Sequence, residues 1–172
     1  MNLLAQFFGV LALCTVVITM QIKERNKSLI FMIFVNLFFS INFLLLNAYS
    51  GAIICFLAVM QAIVFYIHNK KEKEVPKYII ALFILCILLT GVFTYSNIYS
   101  VFPVIGGTFS MFSMLTKNMK AFRTLTFIIC ILWITYDIIS GAYAALVTHI
   151  INLISVIVAI IRYDIRKPKK IS

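Results

Sequence analysis

Long apolar runs separated by short polar clusters recur seven times along the chain, at about residues 3–22, 28–47, 50–67, 77–95, 98–116, 122–140 and 142–162. Each is close to the 20 or so residues that a helix needs to cross the hydrocarbon core of a bilayer. The runs are continuous and lack the period-two alternation of an outer-membrane barrel strand. In lipid an open backbone has no water to bond, so a run of this kind is helical. The expected fold class is an all-α integral membrane protein with seven transmembrane helices. No basic residue precedes the first run and no small-x-small cleavage signal follows it, so it reads as the first span rather than a signal peptide.

The basic residues check that count. Lys23, Arg25 and Lys27 follow the first run; Lys70, Lys71, Lys73 and Lys77 follow the third. Lys117, Lys120 and Arg123 follow the fifth, and Arg162, Arg166, Lys167, Lys169 and Lys170 follow the seventh. These are all 15 lysines and arginines of the chain. The N-terminus and the connections near 48–50, 96–99 and 140–141 contain none. Adding or removing one span would scramble this alternation. The positive-inside rule then places the N-terminus outside and the C-terminus in the cytoplasm.

Composition removes the soluble alternatives. Of 172 residues, 63% are hydrophobic and 12% charged, against about 45–50% and about 25% in a soluble domain. Seven spans leave no room for a separate globular unit. The net charge of +10 is accounted for by topology determinants beside an anionic leaflet and calls for no nucleic-acid partner. The expected partner is the lipid bilayer, with a small-molecule solute and a homo-oligomer left open. Cys14, Cys55, Cys86 and Cys130 stand singly in apolar runs without metal-ligand spacing, so no metal or cofactor is expected.

Sliding the sequence along itself by 94 positions places Lys23 on Lys117, Phe39 on Trp133, and Ala48-Tyr49 on Ala142-Tyr143. Gly9, Ala12 and Thr19 fall on Pro103, Gly106 and Ser113. Gly51, Cys55, Ala58 and Ala62 fall on Ala145, His149, Asn152 and Val156. The register predicts one membrane domain (1–172) built of a three-helix unit (1–69), a linker helix (77–95), a second three-helix unit (98–163) and a basic cytoplasmic tail (164–172). With one helix between them the units share an orientation, which makes them parallel repeats about an axis along the membrane normal.

This arrangement resembles the PQ-loop/SWEET (MtN3-like) transporter architecture. The segment from Trp133 through Tyr136 and Asp137 to Gly141, followed by a span with His149 and Asn152, is similar to the W-x-x-Y hairpin of that superfamily's second repeat. More closely, the whole chain resembles the YgjV-type bacterial inner-membrane proteins. That resemblance rests on Ala5-Gln6-Phe7-Phe8-Gly9-Val10, Phe102-Pro103-Val104-Ile105-Gly106, Trp133 and Ile161-Arg162-Tyr163. It implies a bacterial inner-membrane location and a fold more than an activity. No Pro-Gln dipeptide is present. SWEET-like relatives line a sugar pocket with an aromatic residue and a later asparagine; here the corresponding pairs are Phe39 with Cys55 and Trp133 with His149.

The candidate chemistry is sparse. Asp137 is the one acid away from the charged loops. A charge at mid-span costs about 2.5–3.5 kcal/mol on the insertion scale and usually marks a functional or paired site. The competing reading is a helix-end carboxylate in outside water. His149 and Asn152 share a helix face with Ala145, Thr148, Ser155 and Ala159, a polar stripe that lipid would penalise. At 1.5 Å per residue, Asp137 lies about 6 Å and His149 about 12 Å below the Gly141 turn. They form either a proton-titrating pair or an ordinary interhelical bond. Trp133, Tyr136, Asp137 and Ser140 make the facing stripe, with Trp133 a stacking platform for a planar ligand or sugar. Asn36, Asn42 and Gln61 are the first unit's intramembrane polar residues, either helix-to-helix glue or solute contacts. Pro103, Gly106 and Gly107, with Ser110 and Ser113, give a close-packing face and a candidate hinge. No HExxH, GxSxG or phosphate-loop motif occurs, so an enzyme is not expected. The expected function is a small-solute transporter or facilitator with a midplane cavity; the alternative is a non-transporting membrane module serving as partner subunit, sensor or envelope-maintenance protein.

Overall fold

The computed structural model describes residues 3–21, 25–116 and 118–165. It contains seven α-helices: α1 (Leu3–Gln21), α2 (Arg25–Leu45), α3 (Tyr49–Lys70), α4 (Lys77–Phe93), α5 (Val101–Leu115), α6 (Met119–Ser140) and α7 (Tyr143–Ile160). A 3-10 turn, Ile98–Ser100, leads into α5, and a single π-helical stretch, Ile161–Ile165, extends α7. Four of the seven, α2, α3, α6 and α7, are long and apolar enough to cross a membrane by length and composition. α4 and α5 are shorter; α4, at 17 residues, spans about 25 Å, just under the hydrocarbon thickness of about 30 Å.

Helix ends depart from the apolar runs where a cap lies outside the run. α6 starts at Met119, ahead of the expected 122, because the Asn118 side chain accepts from the amides of Lys120 and Ala121 and so satisfies two orphan donors of the first turn. α6 stops at Gly141, which takes φ 70°, the left-handed conformation that glycine adopts without a Cβ penalty. The amide of Ala142 then closes on the carbonyl of Asp137 at 3.0 Å. The α2–α3 connection repeats this geometry. Asn47 has φ 58°, and the amide of Ala48 closes on the carbonyl of Phe43 at 2.9 Å.

The packing order is a ring. α2 packs between α1 and α3, and α6 between α5 and α7. α3 meets α5 on one side and α1 meets α7 on the other, which closes the ring, while α4 lies over the α3–α5 seam. We refer to α1–α3 as the first wall and α5–α7 as the second. Both seams are held close by glycines. A Cβ on Gly9 would lie 2.6 Å from the Ala144 Cβ, and one on Gly107 would lie 2.6 Å from a methyl of Ile54. Such approach matters in lipid, where packing rather than expulsion of water joins helices.

Helix direction sorts the molecule into two ends. The connections 46–48, 94–100 and 141–142 form an uncharged end. Lys27, Lys70, Lys71, Lys73, Lys77, Lys120, Arg123 and Arg162 gather at the opposite, basic end. Lys23, Lys117 and the basic residues of the 166–172 tail lie outside the described residues. At the basic end, Asn69 donates to Asn26 at 2.6 Å, tying α3 to α2. Arg123 donates through Nε and Nη2 to both oxygens of Asp164, at 2.9 and 2.6 Å, tying α6 to the end of α7.

The Arg123 hydrogen bonds hold the Asp164 carboxyl below the usual carboxylate range, against a smaller opposing effect of desolvation. A carboxyl lowered on folding stabilises the fold above its unfolded pKa of about 3.9, and loses that contribution as pH falls through the folded value. The melting temperature gap between the native chain and Arg123→Gln is therefore expected to stay constant from about pH 8 to pH 5 and to close only below about pH 4. A gap that closes between pH 7 and 5 would assign the titration to another group.

Candidate functional site

Inside the ring lies a cavity of about 340 Å³, within the usual range for small-molecule sites. Both walls supply it. Thr19, Asn36, Phe39, Cys55 and Gln61 come from the first; Ser110, Ser113, Trp133, His149 and Asn152 come from the second. Ile87 of α4 completes it across the α3–α5 seam. The lining runs along α6 from Phe122, in its first turn, to Trp133, a span of about 16 Å at helical rise. The cavity thus reaches the basic end and stops about 10 Å short of the uncharged end of α6.

Five of the expected solute- or proton-path residues line this space, Asn36, Gln61, Trp133, His149 and Asn152, as does Gly107 of the expected hinge. The carboxamides of Gln61 and Asn152 and the hydroxyls of Ser110 and Ser113 accept or donate no hydrogen bond among the described residues, so their polarity is directed at whatever fills the cavity. Asn36 donates to the Met32 carbonyl at 2.8 Å and keeps its side-chain oxygen for the cavity. Among the described residues, neither lysine, arginine, aspartate nor glutamate lines the cavity.

Asp137 and His149 form the centre of the second wall. The carboxylate Oδ2 lies 2.6 Å from the His149 Nδ1, and Asp137 is fully buried. Counted along the axes, the two residues differ by about 6 Å in depth. Side-chain direction closes that gap. Every Cα–Cβ bond tilts toward its helix N-terminus, so Asp137 on α6 leans away from the Gly141 turn and His149 on α7 leans toward it. The reading of Asp137 as a helix-end carboxylate in outside water is therefore set aside. Its Oδ1 is buried without a partner.

The His149 ring stacks between Phe39 of α2 (centroids 5.5 Å apart, planes at 20°) and Trp133 (5.7 Å, 14°). Trp133 also stacks on Phe43 (5.6 Å, 26°). The expected ligand platform thus has the protein's own rings on it, and the indole edge packs on Gly106. Apolar and aromatic packing locks the imidazole so that Nδ1 meets the carboxylate while the rest of the ring faces the cavity.

Other expected site residues have structural partners instead. Asn42 is buried away from the cavity and donates to the Ala5 carbonyl at 2.6 Å, fastening α2 to α1. The Tyr136 hydroxyl pairs with Ser50 at 3.0 Å and accepts from the Gly51 amide at 3.1 Å. Pro103 sits in the first turn of α5, where its missing N–H leaves no helical bond unmade. The α-helix runs unbroken through Gly106 and Gly107, and the irregularity falls before it, in the 3-10 turn. Gly106 receives Trp133 and Gly107 receives Ile54. Ser155, expected on the polar stripe of α7, is exposed.

Sequence reasoning missed Gln6, which spans two backbone groups of the opposite wall (Nε2 to the Gly141 carbonyl at 3.0 Å, Oε1 from the Ala144 amide at 3.1 Å). A glutamine in the second turn of an apolar span was the available signal.

A family described as Imp-YgjV, bacterial inner membrane protein, matches residues 3–167. The chain belongs to that family. The match covers all seven helices and places the protein in the bacterial inner membrane. Neither curated proteins nor solved structures give a match.

Proposed function

We propose that this Imp-YgjV protein is a small-solute transporter or facilitator, without enzymatic activity, whose walls are two parallel three-helix repeats of the PQ-loop/SWEET kind joined by α4. The observation that carries the reading is one cavity into which both walls direct side chains lacking protein partners: Gln61 from the first, Asn152, Ser110 and Ser113 from the second. A static bundle would be expected to pair such groups, because an unmade hydrogen bond in a membrane interior is costly.

Two features support the repeat. The turns at Asn47 and Gly141 are equivalent under the 94-residue offset and share a left-handed backbone conformation and the closing bond. The seams also exchange under it, α3–α5 becoming α7–α1. The basic end is taken as cytoplasmic on the positive-inside rule, with the N-terminus outside.

A lining that, among the described residues, offers amides, hydroxyls and aromatic rings and no lysine, arginine or carboxylate fits an uncharged solute that both donates and accepts hydrogen bonds, a sugar or another polar metabolite. The Asp137–His149 pair is the element through which a proton is linked to transport. Among the described residues, Tyr136 and Cys55 are titratable side chains within electrostatic reach of Asp137.

Uptake into reconstituted vesicles, across sugars, amino acids and other metabolites with and without a pH gradient, decides the matter. Accumulation of an uncharged polar solute is expected, with Gln61→Leu and Asn152→Leu each reducing it about tenfold, or about 1.4 kcal/mol. Asp137→Asn is expected to abolish the response to the gradient. Silence across the panel moves the protein to the non-transporting class.

A further inference from the structure

The hydrogen bonds that cross between the walls have a common place and a common form. α3 begins at Tyr49 with Ala48 as its N-cap, and α7 begins at Tyr143 with Ala142 as its N-cap; neither alanine supplies a side-chain bond. A helix N-terminus leaves its first amides without intrahelical partners. Here the opposite wall supplies them. The Tyr136 hydroxyl of α6 accepts from the Gly51 amide in the first turn of α3 and pairs with Ser50. The Gln6 Oε1 of α1 accepts from the Ala144 amide in the first turn of α7, and its Nε2 donates to the Gly141 carbonyl.

Both contacts need small residues. A Cβ on Gly51 would lie 2.6 Å from the Tyr136 ring, and one on Gly9, a turn below Gln6, would lie 2.6 Å from Ala144. Both sit at the uncharged end, beyond the layer where the cavity stops. At the basic end the bonds Asn69–Asn26 and Arg123–Asp164 stay within one wall.

We propose that Gln6 and Tyr136 are a reciprocal pair of trans-caps that latch the walls together at the uncharged end, and that releasing them opens the cavity to that side. The caps suit a reversible latch. The amides they satisfy are bonded equally well by water once the end opens, so a closed and an open state differ by only a few hydrogen bonds, each of modest net worth. The inference rests on the transport reading for its purpose but not for its test.

A reporter cysteine at Ser110, which lines the cavity, is placed in a chain with Cys14, Cys55, Cys86 and Cys130 replaced by alanine. A membrane-impermeant maleimide is applied from each side of the membrane separately. With both caps present, labelling is expected from the basic side and to be slow from the uncharged side. In Gln6→Leu/Tyr136→Phe, labelling from the uncharged side is expected to rise about tenfold, since the loss of both caps shifts a two-state equilibrium by roughly that factor. Tyr136→Phe alone, which removes one oxygen and leaves the ring in place, is expected to give a smaller rise in the same direction. The latch is wrong if neither variant raises labelling from the uncharged side, or if the capped chain labels equally from both sides. A rise in labelling with no solute moved in any vesicle leaves the latch standing and removes the transport reading; uptake with unchanged labelling does the reverse.

Discussion

Replacing His149 with alanine is expected to destabilise the fold by about 3–5 kcal/mol, the usual consequence of removing one partner of a buried ionic pair. Asp137 is fully buried, one of its oxygens already lacks a partner, and its other oxygen has His149 at 2.6 Å. With the imidazole gone, the carboxyl group has no hydrogen-bond partner left among the described residues. The cost comes from the stranded acid rather than from the lost contact, and a second substitution separates the two. Asp137→Leu introduced into His149→Ala should recover most of the loss, because it removes the group that was stranded. Reversible unfolding in mixed micelles, run as a double-mutant cycle, reads the coupling directly. A loss below about 1 kcal/mol for His149→Ala, or no recovery in the double variant, would mean that Asp137 reaches solvent.

Trp133→Ala is expected to cost about 3–5 kcal/mol, the range for truncating a buried tryptophan. The indole is in contact with His149, Phe43 and Tyr136 and lies against Gly106. Its removal enlarges a cavity that already exists and takes away one of the two rings that orient the imidazole. Trp133→Phe keeps an aromatic face for His149 and Phe43 and should cost less than half as much. Pairing it with Gly106→Ala fills the space beside the former indole edge, so the double variant should be less destabilised than the sum of the singles. Melting midpoints of the four chains check the ordering. Equal loss in Trp133→Phe and Trp133→Ala would show that the indole, and not the ring stack, holds the layer.

The seven helices were legible because a bilayer imposes one strong rule. Each crossing must be apolar for about 20 residues and must satisfy its own backbone, so Leu, Ile, Val and Phe runs mark the elements and lysine clusters mark one end. Caps were less legible. Asn118 and Gly141 are residue types that start and stop helices, whereas Asn47 became recognisable only with its positive φ. Gln61 and Asn152 stood out as polar residues inside apolar spans, and the cavity shows what they face. Asn42 and Tyr136 stood out for the same reason and turned out to bind backbone in neighbouring helices. Local sequence could not separate these cases, because polarity in lipid predicts that a side chain needs a partner and not which one it finds.

The sequence by itself determined the solvent, the number of helices and the end at which charge collects. All of these follow from properties that accumulate along the chain, and no contact between distant residues is needed to read them. Tertiary structure alone decided that α1 meets α7 while α3 meets α5, that His149 sits between Phe39 and Trp133 with Nδ1 on Asp137, and that Gln6 caps a helix more than a hundred residues away. Those outcomes depend on close approach at Gly9, Gly51 and Gly107 and on the tilt of side chains toward helix N-termini, both of which take effect only when helices lie side by side.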